Sequence, residues 1–424
     1  MDIWLAAAEN EKISAAILLD LSAGFDVINH KVLLSKLKEY GLDDLAISWF
    51  EDYLSQRSQC VQIESKFSSF LDVIWGVPQG SILGPLLFVI FINELPETIK
   101  LDGNDADNNN EDDDAEHIVV YADDNTPTTS HKDPTTLEVK TQRIADCVSD
   151  WFSRNDMLVS SEKTKLLYIG TRMNRSHKIE KPSFVPTLNV CGESIQVTHC
   201  EKLLGLMIND TMTWKNHLYG DDDENPGLLK TLSKRVGMLK KLRKHIPVPK
   251  FKQIMAGLFT SKLTYGMCVW TAVWDIPGQV VEESRTSLTK RDMQRLQALQ
   301  NKSLRLVNWT DRSTPTSELL RSTDALSVHQ LGAYLSLVQV FKIRQTRQPE
   351  YHYRRLFNGS DTDNGGVNGR SRVEFGLSLS RGSFFYQGSR LWSALPGNFK
   401  LIRNQGRFKK MCKQWIKSNV KIKP

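Results

Sequence analysis

Four residues constrain this chain more than any others: Tyr121-Ala122-Asp123-Asp124. They close an apolar, β-branched run, His117-Ile118-Val119-Val120, and are followed by the turn-prone Asn125-Thr126-Pro127. A short apolar run, two adjacent carboxylates and a polar exit predict a β-hairpin over 118–127 with Asp-Asp at its tip. Two like charges at the end of a buried strand raise each other's pKa unless a counter-charge is present. A divalent cation is the simplest neutraliser.

A third carboxylate has a similar setting. Ala15-Ala16-Ile17-Leu18-Leu19-Asp20-Leu21 predicts a buried strand ending in Asp20. If this strand and the hairpin are neighbours in one sheet, Asp20, Asp123 and Asp124 converge. Carboxylate oxygens favour Mg²⁺ over zinc. Such a cluster holds two ions roughly 3.5–4 Å apart, which clamp the attacking and leaving oxygens of a phosphoryl transfer. Taken singly, each of the three reads as a solvated loop residue.

Three further segments add chemistry. Phe25, five residues after Asp20 and followed by Asp26, reads alone as a core aromatic, but a ring there could lie under a bound nucleotide's sugar and exclude a 2′-hydroxyl. Gly76-Val77-Pro78-Gln79-Gly80-Ser81 predicts a tight backbone turn before an apolar helix, where a base or template backbone can approach the main chain. Lys163, beside Thr164, reads alone as a surface lysine; next to a phosphoryl-transfer site it could protonate a pyrophosphate leaving group.

Over 1–210, strands alternate with helical periods. The apolar spacing predicts helices within 31–54 punctuated by Gly41, strands at Gln59–Ile63 and Phe70–Val73, and a helix from Pro85 to about Asn93. A helix over Leu137–Leu158 follows, its apolar positions including Val139, Ile144, Val148 and Phe152, then strands at Lys165–Gly170 and Leu203–Ile208. This alternation predicts an α/β layer around one sheet. Beyond a second acidic run, Asp221–Glu224, the pattern turns helical, at 228–245, 251–265, 288–306, 326–345 and a C-terminal stretch holding Phe408, Met411, Cys412, Trp415 and Ile416. Residues 358–372 read as a linker loop.

The 424 residues are too many for one ordinary core and predict two or three domains. Fifty-five Lys and Arg stand against 49 Asp and Glu, and eight of those acids crowd into 102–116, an Asn-rich stretch expected to be disordered. The rest of the chain is therefore more basic than its net +6 implies, and a polyanion is a natural partner. No apolar run is long enough to span a bilayer and no signal peptide is apparent. The six cysteines form no Cys-x-x-Cys, so a reducing, intracellular setting in nucleus or cytoplasm is expected rather than secretion.

The ordered series is more specific than its parts. Leu18-Leu19-Asp20-Leu21-Ser22-Ala23-Gly24-Phe25-Asp26, Gly76-Val77-Pro78-Gln79-Gly80-Ser81-Ile82-Leu83-Gly84-Pro85, Tyr121-Ala122-Asp123-Asp124, Lys163-Thr164-Lys165 and Leu203-Leu204-Gly205 closely resemble the palm of reverse transcriptases from LINE-type, non-LTR retrotransposons. Tyr53-Leu54-Ser55-Gln56-Arg57, Leu263-Thr264-Tyr265-Gly266 with Trp270, and Gly388-Ser389-Arg390-Leu391-Trp392 with Leu395-Pro396 also look like that family.

The resemblance implies an α+β fold of right-hand polymerase type, a palm with a mixed or antiparallel sheet and packed helices followed by a helical thumb-like and C-terminal region. It implies a palm with partial fingers over 1–218, thumb and connector over 219–345, and an element-specific region over 346–424. It implies RNA-directed DNA polymerase activity with two Mg²⁺ ions, or Mn²⁺ in their place, acting on an RNA template, a DNA primer and deoxynucleoside triphosphates. Asp20, Asp123 and Asp124 map onto the metal ligands and Phe25 onto the sugar gate. Pro78, Gln79 and Gly80 map onto the nucleotide and template loop, and Tyr121 counts with them among the substrate-binding residues. Lys163 maps onto the lysine of the fourth motif, Leu204 and Gly205 onto the primer grip, and 228–245 onto the thumb. Gly24 stands where the family usually has alanine, and Ser160 where it usually has asparagine. The family places triphosphate-gripping fingers ahead of Asp20, where this sequence has 19 residues, so weak or absent polymerase activity is the expectation. A non-catalytic module binding RNA or an RNA–DNA hybrid is the alternative, and an unselected remnant that folds incompletely is the third reading.

Overall fold

The computed structural model describes residues 1–21, 23–101, 116–179, 188–221, 225–271, 275–276, 279–280, 288–357 and 383–420. The acidic stretch, apart from Glu116, and the linker at 358–372 lie outside the described residues. By packing, the chain divides into two compact units. One is Glu11–Leu204; the other joins Met1–Asn10 to Gly205–Pro424.

The unit Glu11–Leu204 is built on six strands: β1 (Ile13–Leu18), β2 (His117–Tyr121), β3 (Asp124–His131), β4 (Lys165–Ile169), β5 (Leu188–Val190) and β6 (Glu193–Thr198). They lie in the order β2-β3-β1-β4-β6-β5. Every pairing is antiparallel except that of β4 with β6. The mixed sheet with packed helices is that of an α+β domain. β1 is central and buried from Ile13 through Ile17. A strand covered on both faces needs an unbroken small or apolar run, and Ala15, Ala16 and Ile17 supply one.

The hairpin departs from its sequence reading at its exit. Asn125-Thr126-Pro127 is not a turn; β3 continues through it to His131. Thr126 and Pro127 pair with Val119 and Ile118 of β2, and all three residues are buried. β1 meets β3 from Ile13↔His131 to Ala16↔Thr128, and again, in the same register, at Leu19↔Asn125. The ladder lapses at Ile17 and Leu18, opposite Pro127 and Thr126. Proline has no N–H to give a neighbouring strand.

Helix Pro134–Arg154 covers the sheet. It starts at Asp133, whose carboxylate accepts the Thr136 N–H at 2.8 Å, with proline in its first turn. Leu137, Ile144, Val148, Trp151 and Phe152 join the sheet's apolar core. Val139 lies on the opposite face and is exposed, and the helix ends four residues before Leu158, which is also exposed. Helices His30–Glu39, Asp44–Leu54 and Gly84–Ile92 lie near their expected bounds, and Gly41 turns the chain at φ +88°. The strands expected near 59–63 and 70–73 shrink to two-residue pairs, Ser58–Gln59 with Leu71–Asp72 and Gln62–Ile63 with Lys66–Phe67, all exposed.

The second unit is mainly helical. Helix Gly227–Leu242 turns Leu228, Leu232 and Leu239 into a core with Phe251, Phe259, Trp270 and Leu296, while Lys230, Lys234, Lys240 and Lys241 face solvent. The helical run expected at 251–265 contains one wider π turn, Ala256–Thr260. Helices Lys290–Asn308 and Val328–Thr346 each begin with a capping box, Thr289 with Asp292 and Ser327 with Gln330. A further core unites Phe341, Phe385, Leu391, Trp392, Phe408, Cys412 and Ile416, with Phe341 stacked on Phe408 at 4.1 Å. Among the described residues no helix is long and apolar enough to cross a membrane, and the six cysteines form no disulfide.

Candidate active site

Asp20 follows β1 and is fixed through its main chain on both sides. Its N–H donates to Thr164 Oγ1 at 3.3 Å, and its carbonyl accepts the Ser160 N–H at 2.9 Å. The preceding residue, Leu19, donates to the Asn125 carbonyl at 2.9 Å. The first pair of contacts ties Asp20 to the turn before β4; the last ties its strand to the start of β3. Lys163 belongs to that turn, and its Nζ lies 3.7 Å from Asp20 Oδ1.

The other two carboxylates stand at the β2–β3 connection. Tyr121 pairs with Asp124, leaving Ala122 and Asp123 as a two-residue turn in which Ala122 takes φ +52°. Asn125 Nδ2 donates to the Asp123 carbonyl at 3.1 Å and steadies it. Asp123, Asp124 and Tyr121 are exposed. Burial, then the negative charges of Asp123 and Asp20, hold the Asp124 carboxyl above its ordinary pKa. Asp124 thus feels a carboxylate 104 positions away in sequence, because Leu19 and Asn125 are paired.

The donor chemistry suits a hard divalent cation: three carboxylates with uncompensated repulsion at Asp124. Asn125 Oδ1 is also buried without a hydrogen-bond partner. As the side chains stand, no three His, Cys, Asp or Glu among the described residues are gathered closely enough to hold a metal ion. Asp20 leans instead toward Lys163.

A second group of predicted residues meets around Gly76. Phe25 is half-buried and stacks on Phe88, with ring centroids 4.5 Å apart, and its carbonyl accepts the Val77 N–H at 2.8 Å. Gly76 takes φ +83°, and a Cβ there would fall 2.7 Å from the Asp26 backbone, so only glycine fits. Gln79 Nε2 reaches both carboxylate oxygens of Asp26 at 2.9 Å. Pro78 accepts the Ser81 N–H through its carbonyl at 3.2 Å, and Gly80 is exposed at φ +79° with open space around it. Gly24 is packed against Phe88, and a Cβ there would sit 3.2 Å from that ring.

Leu204 and Gly205 form a turn in which both residues have positive φ, +47° and +79°. It splits the strand expected over Leu203–Ile208 into Cys200–Leu203 and Leu206–Asn209. The division between the two units falls between these two residues. Sequence reasoning gave no role to Thr164, Asp26 or Asn125. Each adjoins a residue it singled out, which was the only available signal.

Residues 4–208 match the family model described as reverse transcriptase (RNA-dependent DNA polymerase). Over 354 residues, 83% of this chain, the sequence is 23% identical to the RNA-directed DNA polymerase from mobile element jockey of Drosophila melanogaster and covers 34% of that protein. It is 24% identical over 317 residues to the probable RNA-directed DNA polymerase from transposon X-element of the same species, covering 73% of this chain and 30% of that one. The chain thus spans about a third of the length of these relatives. Among solved structures, telomerase from Candida albicans in complex with a TWJ fragment of telomeric RNA aligns with a TM-score of 0.37 at 9% identity, covering 100% of this chain and 55% of that one.

Proposed function

We propose, from the match of residues 4–208 to the reverse transcriptase family model, that this chain is the RNA-directed DNA polymerase portion of a non-LTR retrotransposon protein. Its substrates are an RNA template, a DNA primer and deoxynucleoside triphosphates. The observation that carries the reading is the Leu19↔Asn125 pairing, which brings the end of β1, and Asp20 after it, to the hairpin that carries Asp123 and Asp124.

Asp20, Asp123 and Asp124 are the residues that would hold two Mg²⁺ ions, or Mn²⁺ in their place. Bound there, the ions would clamp the attacking and leaving oxygens of phosphoryl transfer. The chain's own residues do the rest. Lys163, free to swing on an exposed side chain, keeps Asp20 company at rest and donates a proton to the departing pyrophosphate. Phe25, backed by Phe88, presents a fixed ring against the sugar and selects against a 2′-hydroxyl. Gly76 keeps the Pro78-Gln79-Gly80 backbone close to Phe25 and Asp26, where it touches nucleotide and template, and Tyr121 serves with it in substrate binding. Leu204 and Gly205 grip the primer, and the lysine-rich helix Gly227–Leu242 serves as thumb.

Primer extension on a defined RNA template tests the reading. The wild-type chain should incorporate deoxynucleotides at least weakly, in keeping with the low activity expected from its sequence, and Asp124→Asn should abolish incorporation while leaving the fold intact. Incorporation equal in both overturns it. A binding module without catalysis is the second reading, supported by the exposed lysines of Gly227–Leu242. RNA binding that survives loss of all three aspartates, with no synthesis by the wild type, selects it.

A further inference from the structure

We infer that the C-terminal part of the chain, outside the matched domain, carries a phosphate-binding site for a nucleic-acid strand, formed by Arg347, Lys400 and Arg403. These residues line a cavity of about 370 Å³ together with Arg344, Tyr353 and Leu401. Its lining holds four cations and no Asp or Glu.

The backbone, rather than chance side-chain placement, brings these charges together. Helix Val328–Thr346 ends at Arg347, which takes the left-handed conformation at φ +55° and returns its N–H to the Ile343 carbonyl at 2.8 Å. That places Arg344 and Arg347 on the last turn and the cap of one helix. The opposing segment is anchored by Phe399 and Ile402, both buried in the C-terminal core. Arg344 fastens the two together. Its guanidinium donates to the Lys400 carbonyl at 2.6 Å and lies 5.8 Å from the centre of the Trp392 ring. Arg344 is therefore a positioning residue. Arg347 lies over the Tyr353 ring at 5.6 Å, and both Arg347 and Arg403 are exposed. Among the described residues none of Arg347, Lys400 and Arg403 is paired with a carboxylate.

Like charges held around one cavity repel, and an anion relieves that repulsion. Two arginines add the fork geometry that matches a phosphate. In sequence the positive charge runs on past the cavity: residues 397–420 contain no Asp or Glu, and Arg407 and Lys410 are exposed, while Lys413 and Lys417 pair with Asp324. A basic run of this kind suits an extended polyanion better than a single small anion. A lipid surface suits it poorly, because helix Gln405–Asn419 buries Phe408, Cys412 and Ile416 in its own core and keeps no apolar face for a membrane.

The test is fluorescence anisotropy of a labelled single-stranded RNA with the full chain. For the Arg347→Gln, Lys400→Gln, Arg403→Gln variant, affinity should fall at least about tenfold near 0.1 M salt, and the slope of log K against log salt should shrink by about 2, for three lost phosphate contacts. Arg347→Lys with Arg403→Lys should keep most of that slope. If the triple variant does not fold, Arg403→Glu alone decides: tenfold weakening supports the site and unchanged affinity overturns it. Unchanged affinity and slope in a folded triple variant also overturn it. So does calorimetric binding of inorganic phosphate, or capture by phosphatidylserine vesicles, that depends on these residues while RNA binding does not. The polymerase reading is tested separately. Loss of synthesis in Asp124→Asn speaks to that reading and leaves this one untouched.

Discussion

Lys163 Nζ lies 3.7 Å from Asp20 Oδ1, joining the turn before β4 to the end of β1. Both side chains are well exposed, so the pair contributes about 0–1 kcal/mol to stability. Its importance is positional, since it keeps an ammonium group beside Asp20. Lys163→Gln should lower single-turnover incorporation on the order of 100-fold, the lower range for a lost general acid, with an unchanged thermal midpoint. Equal incorporation by the variant removes Lys163 from the mechanism.

Asp124 and Asp324 should respond to pH in opposite directions. Burial and its carboxylate neighbours raise the Asp124 pKa in the folded state. Its contribution is therefore most favourable below the unfolded carboxyl pKa and is lost as pH rises through the folded value. Asp124→Asn should raise the thermal midpoint at pH 7 and lose that advantage at pH 3. Asp324 accepts from Lys413 at 2.6 Å and also from Lys417, which lower its pKa to about 2. That stabilisation is fully present above the ordinary aspartate pKa and is lost as pH falls toward 2. Asp324 is 76% exposed, so screening limits the effect of Asp324→Asn to less than about 1 kcal/mol at pH 7. Thermal melts of both variants across pH measure the two signs.

The two loop glycines should differ. At Gly76 a methyl group meets both a positive φ and the Asp26 backbone at 2.7 Å. Gly76→Ala should cost at least about 1–3 kcal/mol and displace Phe25 and Gln79 from their contacts. At Gly80 the φ is also positive but nothing lies within 4 Å, so Gly80→Ala should cost about 1 kcal/mol from backbone strain alone. Urea unfolding compares them directly.

In the helical unit, Arg243 is a buried cation held by main-chain carbonyls. It donates to Leu306 at 2.8 Å, Ile246 at 3.1 Å and Val307 at 3.4 Å, and lies 5.4 Å from the centre of the Phe251 ring. Arg243→Met keeps much of the volume but strands those acceptors. It should destabilise by roughly 2–4 kcal/mol in urea unfolding, more than one lost buried partner costs.

What the sequence made legible was local. Apolar period and β-branching locate β1, the hairpin and helix Pro134–Arg154, and the order of motifs resembles that of reverse transcriptases. What it concealed depends on pairing. Pro127 reads as a strand breaker, yet β3 runs through it because neighbouring residues remain bonded to β2 and β1. Val139 is apolar but falls on the solvent side of its helix, which its spacing from Leu137 already made geometrically necessary. The Gln79–Asp26 contact spans 53 positions, and Thr164 reaches Asp20 across 144; no local pattern encodes either. The basic cavity was equally hidden, because Arg347 and Arg403 meet only after two anchored segments have packed.

The central claim is that Asp20, Asp123 and Asp124 act together on divalent cations. Counting Mn²⁺ ions bound per chain by electron paramagnetic resonance tests it most directly. The account predicts two ions displaced by excess Mg²⁺, and loss of that binding in a folded Asp20→Asn, Asp124→Asn variant. Mn²⁺ binding that is absent from the wild type, or that survives both substitutions, would contradict it.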